Sequence, residues 1–152
     1  MAKAILIHEQ LEGRMRTLAN PKAVTPMPTG WIRAVRLALG IRAQQLGKKL
    51  SITRQAVVDM EKREVEGSIT LKSLQEAAVA LDMKLVYGFV PKDGSLDALI
   101  ERKAKELAIQ IVMRTSQTML LEDQANTEER LKKAIEDRTN ELKRDMPKTL
   151  WD

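Results

Sequence analysis

The stretch from residue 30 to residue 83 constrains the fold most, because four short helix-like patterns follow one another there with only brief connections. They read GWIRAVRLALG, IRAQQLGKKL, SITRQAVVDMEKREVEGS and ITLKSLQEAAVALDM. Gly40 fits a helix end, and Thr53 and Thr70 fit N-caps, because a hydroxyl can accept the free N–H groups of a first turn. Helices this short are stable only when they pack together, so residues 30–83 are predicted to form one compact helical domain.

The composition excludes several classes of protein. Aromatic residues make up only 3% of the chain, so the core must use aliphatic side chains, which favours helices. No cysteine is present for disulfides or thiolate metal sites, and no apolar run of about 18 residues could span a membrane. The chain has no P-loop, no dinucleotide-binding glycine pattern and no cysteine–histidine cluster, and its one histidine, His8, falls on the polar side of its helix. The composition and motifs therefore predict a cytoplasmic protein that is not an enzyme and has no catalytic residue, metal site or cofactor.

The positive charge is concentrated in one part of the chain. The net charge is +5, and residues 30–66 contain eight Lys and Arg against four Asp and Glu. A basic surface is the electrostatic footprint of a phosphate binder. The alternative is a face of solvated lysines, so charge alone leaves nucleic-acid binding as one of two interpretations.

The N-terminal segment is predicted to be a helical arm on a stiff linker. Ile7, Leu11, Met15 and Leu18 recur at helical spacing, which predicts an amphipathic helix over residues 2–19. Residues 21–29 contain three prolines and are typical of an extended connector. The arm, residues 1–20, therefore needs another surface to cover its apolar stripe.

Residues 84–152 are predicted to provide dimerisation, first through a strand. The strand is an alternating run that consists of Leu85, Val86, Tyr87, Gly88, Phe89 and Val90. A lone strand leaves its backbone groups unpaired, so we expect it to pair with the same strand of a second copy across a two-fold axis. A hairpin with another segment of the chain is the alternative.

The C-terminal pattern predicts a helical hairpin. The stripe of its first helix, which runs to about residue 125, consists of Leu96, Ile100, Leu107, Ile111, Thr118, Leu121 and Ala125. Ser95 fits the cap of this helix, and a second helix begins after Thr127 and turns Leu131, Ile135 and Leu142 inward. Two such helices folded back as an antiparallel pair are typical of dimerisation, and packing on the chain's own helical domain is the alternative.

The second and third patterns of the helical domain have the spacing of a helix-turn-helix. The positions at which the two helices would cross and bury each other are Leu46, Leu50, Ile52, Val57 and Met60. The run LGKKLSIT, followed by Val57, Met60 and Glu61, resembles the Xre-type helix-turn-helix of phage repressors. Two positions depart from that family: Gly47 replaces a small alanine at about 1 kcal/mol of helix propensity, and Ser51 replaces the turn glycine at about 1–2 kcal/mol of strain.

Four separated blocks of sequence look like the mobile mystery protein A family. The blocks are GWIRAVRLALG, ITLKSLQEAAVALDMKLVYGFVP, TMLLEDQ and the terminal LWD, in that order from Gly30 to the C-terminus. Members of this family are Xre-type regulators encoded beside a Fic-domain protein, mobile mystery protein B. The resemblance implies a DNA-binding regulator that is also the antitoxin-like partner of a Fic-domain protein.

The starts of the two motif helices are predicted to contact DNA phosphates. Helix starts point N–H groups and short polar side chains outward, where they can bind phosphate oxygens. The candidates are Gln44, Lys48 and Thr53. Phage repressors of this type usually have the glutamine one position earlier, where this chain has Ala43.

Base reading is predicted for Arg54, Gln55 and Asp59, at the start of the second motif helix. Arginine can bond both acceptors of a guanine, glutamine can pair with an adenine, and a carboxylate can accept from a cytosine. For Asp59 the alternative is an ion pair with Arg63, one turn further along the helix.

A buried ion pair is predicted behind this surface. Glu61 continues the apolar series of Val57 and Met60, which is an unusual place for a carboxylate. Arg36 lies in the first helix of the domain, where phage repressors of this type similarly place an arginine. We expect a partly buried Arg36–Glu61 pair that fixes the angle of the recognition helix, with a solvated Glu61 as the alternative.

The predicted fold class is mainly α: an Xre- or phage-repressor-like helix-turn-helix domain with one dimerising β-strand and a C-terminal helical hairpin. The predicted function is a homodimeric, sequence-specific DNA-binding transcriptional regulator that binds double-stranded DNA at a near-palindromic operator. It would act as an autorepressor and as the antitoxin-like partner of a Fic-domain protein. The alternative is a protein-binding module whose main role is to mask an enzyme partner.

Overall fold

The computed structural model describes residues 2–19, 27–119 and 128–152, with the side chains of 116–119 left out. In these ranges seven α-helices and one 3-10 helix follow one another: α1 (Ala2–Leu18), α2 (Trp31–Ala38), α3 (Ala43–Leu50), α4 (Arg54–Glu66), α5 (Leu71–Ala80), α6 (Leu96–Met119), α7 (Glu128–Asp145) and the 3-10 helix (Lys148–Trp151). The chain divides into two compact units, which we call the motif unit (residues 20–88) and the terminal unit (residues 1–19 and 89–152). None of the described helices is long and apolar enough to cross a membrane.

The motif unit is built from the four short helices α2 to α5. Its buried core consists of Ile32, Leu46, Val57, Met60, Ala77 and Leu81. Both predicted caps are present: the Thr53 hydroxyl accepts the Ala56 N–H at 3.0 Å, and the Thr70 hydroxyl accepts the Ser73 N–H at 3.1 Å. The mainly helical fold and the helix-turn-helix are therefore confirmed.

The terminal unit contains α6 and α7 as an antiparallel pair. Lys143, near the end of α7, lies 3.9 Å from Glu101, near the start of α6, so the two helices run in opposite directions. The core between them and the 3-10 helix consists of Ala104, Ala108, Leu142 and Leu150. Ser95 caps α6 by accepting the Ala98 N–H at 3.0 Å, as predicted. The predicted inward positions Leu121 and Ala125, the side chain of Thr118 and the cap Thr127 lie outside the described residues.

Helix α1 belongs to the terminal unit and turns a face with a carboxylate inward. Its buried residue is Glu12, which is 5% exposed, and the half-buried residues beside it are His8, Met15 and Leu18. The single chain leaves the other two positions of the predicted stripe uncovered, since Ile7 is 55% exposed and Leu11 is 42% exposed. Glu12 accepts the Leu96 N–H at 2.9 Å, at the start of α6, so the contact on this face is polar. The predicted linker over residues 21–29 lies mostly outside the described residues.

The predicted strand from Leu85 to Val90 is not present. Residues 83–90 have no regular secondary structure, and neither a ladder nor a hairpin pairs them with any other segment that the structure describes. A strand needs a neighbour to satisfy its N–H and C=O groups, and the single chain supplies none here. Val86, Tyr87 and Phe89 are instead exposed, Phe89 at 84%. Pairing of this segment with a second copy, and the predicted domain boundaries, stay predictions.

Candidate nucleic-acid interface

Helices α3 and α4 are joined by a tight turn at Ser51. Its backbone is left-handed, with φ 58° and ψ 38°, and this conformation ends α3 and redirects the chain. The following N–H, that of Ile52, donates to the carbonyl of Gly47 at 2.8 Å. Beneath the turn, Leu46 and Val57 are fully buried, one from each helix. Apolar packing therefore fixes the two motif helices at their crossing.

Gly47 sits at the closest approach between α3 and the turn. A Cβ atom at this position would lie 2.7 Å from the carbonyl oxygen of Ile52, and that oxygen belongs to the backbone, which cannot swing aside. The alanine usual in phage repressors of this type would therefore not fit without a shift of the turn. The departure from the family pattern matches the local geometry of this chain.

The predicted phosphate-binding residues are all exposed. Gln44 lies in the first turn of α3, and Lys48 lies in its last turn. Thr53 precedes α4 and already accepts the Ala56 N–H, so its hydroxyl proton is left to donate outward. Each side chain is available to a phosphate oxygen.

The predicted base-reading residues are also exposed, in the first two turns of α4. The structure brings two of them together: the Gln55 amide donates to the Asp59 carboxylate at 3.1 Å. Asp59 therefore has Gln55 as its partner, one turn before it, and not Arg63, the alternative partner considered for it. This bond orients the Gln55 amide and leaves its carbonyl oxygen and a second N–H to face a base edge. Arg54 stands beside the pair in the first turn.

Arg36 and Glu61 form a two-pronged ion pair behind this surface. Arg36 Nε donates to Glu61 Oε1 at 2.6 Å, and Nη2 donates to Oε2 at 3.3 Å. The third contact of the guanidinium is the carbonyl of Ile41, at 3.1 Å, in the connection between α2 and α3. The two side chains are only 11% and 7% exposed. One guanidinium therefore joins α2, the next connection and α4, and every charged atom in the pair has a partner.

Sequence reasoning missed a second carboxylate that α4 turns inward. Glu64 accepts the Trp31 N–H at 2.8 Å and the Ile32 N–H at 2.9 Å, and so caps α2 from another helix. The residue before α2 is Gly30, which has no side chain to provide a cap of its own. That missing cap was the one signal in the sequence, but it gave no indication of a partner more than thirty residues away.

These contacts decide how charge is distributed on the surface. Of the four carboxylates in residues 30–66, Glu61 and Glu64 are held by groups inside the motif unit. The exposed cations on and beside α3 and at the start of α4 are Arg42, Lys48, Lys49 and Arg54. The basic excess predicted from the sequence is therefore displayed to solvent around the motif helices, where it can attract a polyanion.

Comparison with known proteins agrees with this geometry. A helix-turn-helix family model matches residues 32–87, which include nearly all of α2 and the whole of α3, α4 and α5. Comparisons with curated proteins and with solved structures gave no match. The match supports an Xre-like helix-turn-helix domain and a DNA-binding transcription regulator.

Proposed function

We propose that this protein is a homodimeric, sequence-specific DNA-binding transcriptional regulator in which α4 enters the major groove. The observation that carries the proposal is the arrangement of α4 itself. Its first two turns expose Arg54, Gln55 and Asp59, while its inner side is held by Val57 and by the Arg36–Glu61 pair. A helix that is rigidly supported from behind, with polar side chains in front, suits the reading of base edges.

Phosphate contacts would set the position of α4 on the duplex. Gln44 and Thr53 lie at the starts of the two motif helices, where N–H groups and side chains converge on an anion. Lys48 would add a point charge to the same backbone contact. Such contacts carry affinity and its salt dependence but little information on sequence.

Base contacts would supply specificity. Arg54 is suited to the two acceptors of a guanine, and Gln55 is suited to an adenine. Asp59 orients Gln55 through their hydrogen bond and can accept from a cytosine on the neighbouring pair. Each good bidentate contact would contribute roughly 1–3 kcal/mol of discrimination.

Dimerisation would use the segment from Leu85 to Val90. Its backbone is unpaired in the described chain, and Val86, Tyr87 and Phe89 are exposed. Pairing with the same segment of a second copy would cover these side chains and satisfy the backbone. The resulting two-fold axis would place the two α4 helices on half-sites about one turn of DNA apart, so the operator would be near-palindromic.

Val86→Pro tests this dimerisation. It would remove one backbone N–H from the pairing between the two copies, and the variant should be monomeric in analytical sedimentation.

The decisive experiment is a gel shift of the purified protein on the DNA upstream of its own gene. An autorepressor should shift this fragment at a concentration at which it leaves an unrelated fragment of the same length unbound. Repeating the titration with the product of the neighbouring gene tests the antitoxin-like role toward a Fic-domain protein. Failure to distinguish the two fragments would contradict sequence-specific regulation.

Two variants separate the roles of the exposed residues in that assay. Lys48→Ala should weaken binding to both fragments alike. The plot of log affinity against log salt concentration should become less steep by about 0.9, the contribution of one phosphate contact. Arg54→Ala should instead remove roughly 1–3 kcal/mol of preference for the operator and change a binding-site selection profile at one base pair in each half-site. An unchanged profile for Arg54→Ala would refute its base-reading role.

A second candidate function, a protein-binding module that masks an enzyme, is favoured by the exposed aliphatic side chains of α1. Ile5, Leu6, Ile7 and Leu11 are all more than 40% exposed, and exposed aliphatic side chains this close in sequence are typical of a protein-binding surface. If the protein co-purified with the neighbouring gene's product and showed no operator shift, this function would be primary. Loss of that complex in Leu6→Asp, with DNA binding intact, would assign the two roles to different surfaces.

A further inference from the structure

Three ligand-type side chains converge where α1 meets the start of α6. His8 Nε2 lies 3.0 Å from Asp97 Oδ1 and 3.8 Å from Glu12 Oε2. One nitrogen and one oxygen from each carboxylate all lie within 4.8 Å of one another, which makes this the one such group of histidine and acidic residues among the described residues. The cluster joins residues almost ninety positions apart in the sequence.

The chain holds this cluster in place through its backbone. His8 and Glu12 are four residues apart on α1, so they point from the same side of the helix. Glu12 is buried, and its two oxygens accept the Leu96 N–H at 2.9 and 3.3 Å. Asp97 follows Leu96 directly, so the hydrogen bond that orients Glu12 also fixes the backbone position from which the Asp97 side chain extends. An outer hydrogen bond that fixes a ligand carboxylate is the usual support of a metal site.

Two arrangements can hold these three atoms together. With a hydrogen on Nε2, the His8 ring donates to the Asp97 carboxylate. With that hydrogen on Nδ1 instead, Nε2 and the two carboxylate oxygens are all electron-pair donors, and a metal ion among them offsets their mutual repulsion. For a metal, ligand distances of about 2.0–2.2 Å correspond to donor atoms roughly 3–4 Å apart, which is the spacing of His8 Nε2 to both carboxylates.

We propose that His8, Glu12 and Asp97 bind a divalent transition-metal ion, with Zn²⁺ as the best match. Mg²⁺ and Ca²⁺ prefer sites made of oxygen ligands alone, so an imidazole ligand argues against both. One nitrogen and two oxygen ligands suit Zn²⁺ and the other divalent ions of the first transition-metal row. Binding replaces the His8–Asp97 hydrogen bond with two metal bonds. Asp97 is 80% exposed and His8 is 29% exposed, so solvent reaches the site and supplies the remaining ligand.

The composition of the chain makes this proposal unusually easy to test. The protein has one histidine and no cysteine, so no other imidazole or thiolate competes for the ion. Protein without an affinity tag would be titrated with zinc sulfate by calorimetry, with magnesium sulfate as the control salt. The expected result is one Zn²⁺ per chain, a rise in the melting temperature with Zn²⁺ that a chelator reverses, and no response to Mg²⁺.

Matched variants assign the ligands. Asp97→Asn and His8→Gln should each weaken Zn²⁺ binding by more than about tenfold, since loss of even an outer partner of a metal ligand has that effect. Glu9→Gln removes an exposed carboxylate from the neighbouring position of α1 and should leave Zn²⁺ affinity unchanged. Asp97 is exposed enough that its replacement leaves the fold intact, which keeps the test valid if the His8 variant is unstable.

Two results would overturn the proposal. In one, wild-type protein shows neither heat of binding nor a change in melting temperature with Zn²⁺, in which case the cluster is held by the hydrogen bond between His8 and Asp97 alone. In the other, Zn²⁺ binds but His8→Gln and Asp97→Asn bind it equally well, in which case the ion lies elsewhere.

Discussion

Among the described residues, each unit buries one carboxylate, and the two carboxylates are held by different means. In the motif unit, Glu61 faces the guanidinium of Arg36, which is a permanent positive charge. In the terminal unit, Glu12 faces a backbone N–H and the imidazole of His8, which carries charge only when protonated. The motif unit therefore has a permanent brace behind α4. The terminal unit has an adjustable contact, in which neither partner of Glu12 carries a permanent charge.

The largest effect should come from breaking the permanent brace. Glu61→Ala leaves the Arg36 guanidinium without its carboxylate in a site that is nearly closed to solvent, which should cost roughly 3–5 kcal/mol of unfolding free energy. Operator affinity should fall as well, although Glu61 touches no base, because α4 loses its support. Denaturant unfolding and the gel shift measure the two effects.

Glu66→Ala is the control for that measurement. Glu66 lies on the same helix but is exposed, and its contact is with Lys62 at 3.8 Å, so its removal should change stability by less than about 1 kcal/mol. If Glu61→Ala were no more harmful than Glu66→Ala, the pair would not brace α4.

A glycine-to-alanine substitution should lower the stability of the protein in the motif unit and raise it in the terminal unit. Gly47→Ala places a Cβ against the carbonyl of Ile52, so the turn must shift, which should cost roughly 1–3 kcal/mol and weaken operator binding. Gly13→Ala, inside α1, meets nothing within 4 Å and should stabilise the protein by roughly 0.5–1 kcal/mol. Thermal unfolding of both variants gives the comparison, and a stabilised Gly47→Ala would show that the turn can relax.

The adjustable contact should tolerate an amide better than the permanent one. In Glu12→Gln the side-chain carbonyl can still accept the Leu96 N–H, so the expected loss is roughly 0.5–1.5 kcal/mol, measured with a chelator present. Glu61→Gln has no such remedy, because an amide cannot neutralise Arg36. Equal losses for the two glutamine variants would mean that both carboxylates are held in the same way.

The smallest effect concerns the surface of the terminal unit. The Arg102 guanidinium, which donates to Asp93 at 2.8 Å, holds the pKa of that carboxyl below its ordinary value. A lowered pKa in the folded state adds stability above the ordinary pKa of about 4 and loses it as the pH falls further through the folded-state pKa. Asp93→Asn should therefore be slightly less stable than wild type at pH 7, and the difference should shrink below pH 4. A difference that grew with acid would reverse the assigned sign.

The motif unit could be predicted from the sequence because its signals are local. Thr53 and Thr70 cap the helices that begin beside them, and Leu46 and Val57 follow helical spacing around one turn. The inward position of Glu61 was visible as a charge within an apolar series. The inward position of Glu64 was not visible, because the N–H groups that it caps lie on another helix and produce no spacing pattern in the sequence.

The terminal unit was harder to predict because its decisive contact is polar and long-range. Apolar spacing predicted a stripe through Ile7 and Leu11 that another surface would cover, but the residue of α1 that the single chain buries is Glu12, which accepts the Leu96 N–H. Helical periodicity is read from the spacing of apolar residues, so it does not detect a buried carboxylate whose hydrogen-bond donor lies in another segment. The predicted strand from Leu85 to Val90 is absent from the single chain for a related reason, since alternation describes two faces but does not supply a partner for the backbone.

The Glu64 cap on α2 places one of the chain's two tryptophans at a defined point of the motif unit. Trp31 opens α2 there, and the other tryptophan, Trp151, ends the 3-10 helix of the terminal unit. Each unit thus carries its own fluorophore. Trp151→Phe leaves tryptophan emission from the motif unit alone, and Trp31→Phe leaves tryptophan emission from the terminal unit alone. Coincident melting curves for these two variants would describe a single cooperative transition, and separate curves would give each unit a midpoint of its own.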